Sequence, residues 1–340
     1  MNFVALGGVW LDEIHAPGKE VLRDVAGGSV AFEHSATLGA RVFTRDGGEI
    51  GLIIKTGFDF PASLTARFAT WTANFSTRPC PDNPSARGRV HYGSSASDRM
   101  FTRLTPPLNT TPSDFVGTPL LAAQCFHFFD TATTVGTQID ELLALRRQAG
   151  IEARPLVIWE PHPKSCSPET LEEHRRLVGS GNVLAFSPNH VELDAFFRTS
   201  NDISKSSFER GRMERQAQVF LPSSTAMAAF DHQVCIIVRC AEHGCFVLFS
   251  THTLEEHHSA WLPPFFGPDQ ADRIVDPTGA GNAFLGGFAM GWLETKDFIR
   301  AAAYGNVAAS FAVEVVGLPE LAVCDARGRL AEYEARLQGL

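Results

Sequence analysis

Asp276-Pro277-Thr278-Gly279-Ala280-Gly281-Asn282-Ala283-Phe284 decides the reading of this chain. It follows a short apolar run, Arg273-Ile274-Val275, and opens a Gly-rich apolar segment, Ala283 to Leu293. The expectation is a strand, a tight turn and a helix, in that order. Small residues at a helix N-terminus leave several backbone N–H groups free and aimed at one point, and the helix dipole adds partial positive charge there. Such a turn suits an anion, most naturally the transferring phosphate of a nucleotide.

Working outward, the middle and C-terminal parts alternate short apolar runs with amphipathic segments. Strands are expected at Cys125–Asp130, Leu156–Trp159, Val183–Phe186, Val234–Val238 and Cys245–Phe249. Helices are expected over 136–149, 167–178 (with a Ser-Pro-Glu opening that reads as a cap) and from Val191 to Phe197. This alternation predicts an α/β fold with a mainly parallel sheet flanked by helices. Ligands then collect at the carboxyl ends of the strands. Residues 11–25 and 88–104 differ, being alternating and polar-rich, with Pro79-Cys80-Pro81 and Pro106-Pro107 bracketing the second. They read as a small β lid over the cleft, or as a plain surface hairpin. A lid fits a reaction that must exclude water.

Composition narrows the partners. The 340 residues are 44% apolar and carry a net charge of −9 without a long basic run, which argues against nucleic acid. No stretch approaches the ~20 apolar residues that span a bilayer. The apolar start, Asn2 to Trp10, lacks a basic flank and reads as a first strand rather than a signal peptide. Seven scattered cysteines without a CxxC pair read as free thiols of a reducing compartment, and so as cytoplasmic. His252, His257 and His258 lack the i, i+4 spacing of a helical zinc pair and read as a solvated loop.

Several segments bear on chemistry individually. Asp12 ends the run Gly7-Gly8-Val9-Trp10-Leu11, where a carboxylate either accepts two hydroxyl hydrogen bonds or forms a turn. Gly27-Gly28 permit close approach of a substrate to backbone. Asn189-His190-Val191-Glu192 reads as a helix start whose Glu192 either orients waters around Mg²⁺ or answers the helix dipole.

Taken together and in order, these segments resemble the ribokinase-like (pfkB) family of small-molecule kinases, and the details look most like a fungal branch of it. The resemblance spans residue 3 to about 318 and implies a single α/β domain over residues 1–340. It implies ATP with Mg²⁺, and a monovalent cation near Asp276, which supports the loop. Gly279, Ala280 and Gly281 would neutralise the γ-phosphate, with Thr278 adding a hydroxyl donor. Asp12, Gly27 and Gly28 would hold a small-molecule acceptor. Asn189 and Glu192 (through water) would meet the phosphates and Mg²⁺. The run Arg239 to Gly244, with Ala241 where a glycine is usual, would line the nucleotide, and Asn306 lies on the helix that walls the adenine. Trp159-Glu160-Pro161-His162-Pro163 matches a strand-end loop of the family.

Two departures stand out. Phe32 replaces a polar substrate contact and favours an apolar or aromatic ligand. Asn282 occupies the position of the aspartate that deprotonates the acceptor, and an amide is not basic near neutrality. Three functional classes follow: a kinase with an impaired base, a nucleotide- or metabolite-binding pseudokinase, and a non-kinase enzyme of secondary metabolism on the same fold. In the first, Asn282→Asp is expected to raise turnover. A homodimer through the lid is a further expectation.

Overall fold

The computed structural model describes residues 1–31, 33–93, 99–198, 208–222, 233–250, 257–321 and 324–339. Phe32 and His252 lie outside the described residues, as do residues 94–98 of the second lid segment. In chain order the strands are β1 (Phe3–Ala5), β2 (Val9–His15), β3 (Leu22–Ala31), β4 (Ile50–Gly57), β5 (Asn74–Cys80), β6 (Arg87–Tyr92), β7 (Arg99–Arg103), β8 (Cys125–Asp130), β9 (Leu156–Pro161), β10 (Ala185–Phe186), β11 (Cys235–Arg239), β12 (Cys245–Ser250) and β13 (His257–Leu262). The helices are α1 (Glu33–Arg41), α2 (Ala62–Ala69), α3 (Ala132–Gln148), α4 (Leu171–Val178), α5 (His190–Ala195), α6 (Arg210–Gln218), α7 (Ala280–Thr295), α8 (Phe298–Val313) and α9 (Ala326–Gln338).

The strands form two sheets. The larger has the order β13-β12-β11-β10-β9-β8-β1-β4-β5. It is parallel from β11 to β5, and β12 and β13 are antiparallel at one edge. Pro79 lies on β5 at the other edge, where a missing N–H costs no central ladder bond. The second sheet has the order β3-β2-β6-β7 and gathers both polar-rich segments, with β2 and β6 paired in parallel.

Side chains alternate across the pleat, and each face of the large sheet has its own core. Phe3, Ala5, Cys125, Ile158, Cys235 and Ile237 pack under α1, α7, α8 and α9. Their neighbours Val4, Leu6, Phe126, Val157, Trp159 and Ile236 pack under α3, α4, α5 and α6. Each such large side chain contributes about 1.5–3 kcal/mol of burial.

Helix α1 seats α7. A Cβ on Gly39 would lie 1.9 Å from the backbone O of Ala283, and one on Gly286 would lie 1.9 Å from the O of Ala36. The backbones therefore approach as no larger residue permits, and the N-terminus of α7 is held rigidly over the sheet.

The expected strand at Arg273–Val275 is not present. Pro268–Arg273 forms 3₁₀ turns instead, and Ile274 and Val275 are 42% and 56% exposed. The N–H groups of Val275 and Asp276 both donate to the Val313 carbonyl at the end of α8, which holds the segment without a strand partner. The helix expected over 167–178 divides into a 3₁₀ turn, Pro168–Thr170, and α4. Among the described residues no helix is long and apolar enough to cross a membrane.

Candidate active site

Three strands carry polar side chains on one face. In β8 the residues that alternate onto the α7 side are Cys125, His127 and Phe129, in β9 Ile158 and Glu160, and in β11 Cys235, Ile237 and Arg239. On that face each strand begins apolar and then carries a group that bears charge or accepts a proton. All three lie at the carboxyl end of the sheet, near the start of α7.

There they form one network. Arg239 Nη1 lies 2.7 Å from Glu160 Oε1, and its Nη2 lies 3.6 Å from Glu192 Oε2. The same guanidinium donates from Nη2 to the Ser187 carbonyl at 2.8 Å and from Nε to Ser187 Oγ at 3.2 Å. Glu160 Oε2 accepts a hydrogen bond from Asn282 Nδ2 at 2.6 Å and lies 3.3 Å from His127 Nε2. Arg239 also touches the small-residue turn, since a Cβ on Gly281 would sit 2.1 Å from Nη1. A cation therefore stands against the loop that the sequence reading assigned to an anion.

The two carboxyls are pushed apart. Burial raises Glu160, but Arg239 and His127 outweigh it and leave the group below its ordinary value. Burial pushes Glu192 up to about 7, with Arg239 opposing and Glu160 adding to the rise. Groups of one type driven in opposite directions within one cleft are a mark of functional sites.

Asn189 and Glu192 cap α5 reciprocally. Asn189 Oδ1 accepts from the N–H groups of Val191 and Glu192, both at 2.9 Å, and Glu192 Oε2 accepts from the Asn189 N–H at 2.8 Å. Gly279 takes a left-handed φ of 79° immediately before α7, which its lack of a Cβ permits. Asp276, 5% exposed, accepts from the Thr278 N–H at 3.0 Å and from the Tyr92 hydroxyl at 3.4 Å, so its carboxylate braces the start of the loop.

The other expected site residues sit on other elements. Asp12 is buried in β2, its Oδ1 close to Gly88, beside a cavity of about 140 Å³ lined also by Glu13, Arg23, Asp24 and Arg87. Gly27 and Gly28 belong to β3. Ala241 (φ 49°) and Gly244 (φ 84°) turn the chain from β11 into β12. The Asn306 amide donates to Tyr333 Oη at 2.8 Å and to the Pro263 carbonyl at 3.3 Å, joining α8 to α9. Among the described residues no group of three or more His, Cys, Asp or Glu is arranged to hold a metal ion.

Sequence reasoning gave no role to His127 or Ser187 and quoted Glu160 only as part of a loop. The period-2 pattern holds the missed signal: a polar residue among the apolar ones on the α7-facing side of β8, β9 and β11.

With this geometry in view, the family model of pfkB carbohydrate kinases matches residues 140–321, more than half of the chain. The chain belongs to that family. An uncharacterized Schizosaccharomyces pombe protein is 28% identical over 327 residues, covering 94% of this chain and 86% of the relative. Protein MAK32 of Saccharomyces cerevisiae is 27% identical, covering 78% of this chain and 71% of its own. Among solved structures, adenosine kinase from Schistosoma mansoni in complex with 2-fluoroadenosine superposes with a TM-score of 0.66 at 13% identity, covering 94% of this chain and 97% of that one. At that identity the likeness establishes the ribokinase-like fold. This pfkB member has fungal relatives among its similar proteins.

Proposed function

We propose that this pfkB protein transfers the γ-phosphate of ATP to a hydroxyl of a sugar, nucleoside or related metabolite, through positioning and charge neutralisation rather than through a base on the loop. The observation that supports this reading most is the Arg239 guanidinium, held by Glu160 and Ser187 against Gly281. Preorganised cations and N–H groups aimed at developing phosphate charge are the main source of rate in phosphoryl transfer, whose loose transition state needs little early deprotonation. The N–H groups around Gly279, Ala280 and Gly281 bind phosphate oxygens, and Arg239, its charge partly offset by the Glu160 carboxylate, places a guanidinium beside them. The second sheet, carrying Asp12, acts as a lid that positions the acceptor and excludes water.

Magnesium fits the residues present. A divalent cation near Glu192 offsets the burial that raises this carboxyl, and Mg²⁺ needs few protein ligands because it keeps its waters. When bound, Mg²⁺ would shield phosphate charge, with Glu192 and Asn189 meeting its hydration shell.

A pseudokinase is the second reading, favoured by Asn282, and it retains nucleotide binding without transfer. Calorimetry with ATP and ADP, with and without Mg²⁺, tests what both readings share. Binding is expected, weakened at least ~10-fold in Arg239→Lys, which keeps the charge but loses the bidentate fork. No binding of either nucleotide at millimolar concentration overturns both. Transfer assays on sugars, polyols and nucleosides then separate them.

A further inference from the structure

The carboxylate that the loop lacks stands one hydrogen bond away. We propose that Glu160 is a positioning residue that locks the Asn282 amide with Oδ1 turned toward the acceptor hydroxyl, so that Asn282 replaces the missing base by orientation. This inference rests on the kinase reading above.

The argument begins with hydrogen-bond inventory. An ionised carboxylate only accepts, whereas an Asn amide donates from one prong and accepts at the other. The prong of Asn282 that lies 2.6 Å from Glu160 Oε2 is therefore the NH₂ group, and Oδ1 is the prong turned away from Glu160. An unconstrained amide takes either orientation, and Glu160 selects one.

Glu160 is itself immobilised. Arg239 holds Oε1 at 2.7 Å and is anchored in turn on the Ser187 carbonyl. The residue is 4% exposed, and Arg239 with His127 keeps its carboxyl ionised despite burial. The chain from β11 through β9 to α7 is thus a preorganised support.

An amide oxygen so placed accepts a hydrogen bond from the acceptor hydroxyl and holds its oxygen in line with phosphorus. The acceptor oxygen forms the new O–P bond as the bond from the γ-phosphorus to the bridging oxygen breaks, and that electron pair leaves with the nucleoside diphosphate. The hydroxyl proton passes to a nonbridging oxygen of the transferred group and then to water. Orientation of this kind contributes through proximity rather than proton affinity.

The lock changes the sign of the repair expected at position 282. Asn282→Asp sets a second carboxylate against Glu160, which opposes ionisation of the pair. Glu160→Gln removes the rule that fixes the amide, while Arg239 keeps Ser187 and Glu192. The double variant Asn282→Asp/Glu160→Gln restores one carboxylate and one amide in exchanged places.

Four proteins are to be compared: the unaltered chain, both single variants and the double variant. ATP is the donor, with myo-inositol, ribose, adenosine and water as acceptors. Thermal unfolding is followed from pH 5.5 to 8.5. Glu160→Gln is expected to lower kcat about 10-fold with the KM for ATP within about twofold, as for an interaction used in the transition state. Asn282→Asp is expected to fall below the unaltered chain and to lose unfolding temperature relative to it progressively as pH rises. The double variant is expected to exceed Asn282→Asp by at least ~10-fold and to follow the unaltered chain's pH dependence. Asn282→Asp faster than the unaltered chain, with a midpoint that parallels it across the pH range, overturns the proposal, as does a double variant no better than Asn282→Asp. Failure of the unaltered chain to transfer phosphate to any acceptor, water included, removes the kinase reading and with it the catalytic role of the lock. The unfolding midpoints alone then decide the contact between Glu160 and Asn282.

Discussion

Replacing Glu192 with Gln is expected to stabilise the protein at alkaline pH and leave it nearly unchanged in acid. The substitution keeps the cap of α5, since Gln serves the same capping box as Glu. The acid's pKa rises from an ordinary 4.5 to about 7 in the folded protein. A carboxyl raised on folding contributes stability that is fully present below 4.5 and is lost as pH climbs through 7, because the folded state binds the proton that the unfolded state has released. At 1.36 kcal/mol per pH unit, the gap between 4.5 and about 7 amounts to about 3.4 kcal/mol in full. Integrated between pH 5 and pH 8.5, about 2.5 kcal/mol of it falls within an accessible range. Urea unfolding of both proteins at intervals across that range gives the difference directly, since titrations common to both cancel. The stability of the unaltered chain should fall relative to Glu192→Gln by roughly that amount, most steeply between pH 5 and pH 7. Parallel stability curves would refute the reasoning. They would mean that Glu192 titrates near its ordinary value and that Arg239 compensates its burial fully.

Two further substitutions probe the scaffold. Ala241→Gly should raise stability by about 1 kcal/mol in chemical denaturation, because Ala241 is an exposed residue in the left-handed region at φ 49°, where a Cβ is strained. Gly39→Ala should destabilise by at least ~2 kcal/mol, since its Cβ would lie 1.9 Å from a backbone oxygen of α7 and force the two helices apart; an unchanged midpoint would show that this crossing tolerates expansion.

The architecture was legible because its signals are local. Cys125–Asp130 is a strand over the expected residues, and the turn from Gly279 into an apolar helix lies where small residues and periodicity place it. Arg273–Val275 misled because two branched apolar residues beside a turn look like a strand whether or not a neighbour pairs with them. The site was legible in part. Asn282, Gly281, Arg239 and Glu192 come together around Glu160, but the bond joining Glu160 to Asn282 spans 122 residues, and no local pattern announces it. The Asn306 amide, which ties α8 to Tyr333 and Pro263, is another long-range bond that no local pattern announces.

The contact between Tyr92 and Asp276 has a mechanical meaning. Tyr92 ends β6 in the small sheet, and Asp276 holds the N–H of Thr278 inside the glycine loop. A bond of 3.4 Å is long and therefore weak, worth at most about 1 kcal/mol. The small sheet is thus latched to the loop by a catch that thermal energy releases readily. While the catch is made, the Asp276 carboxylate meets the small sheet on one side and the Thr278 N–H of the loop on the other. The coupling is weak, so separating the small sheet from the glycine turn at this point costs little.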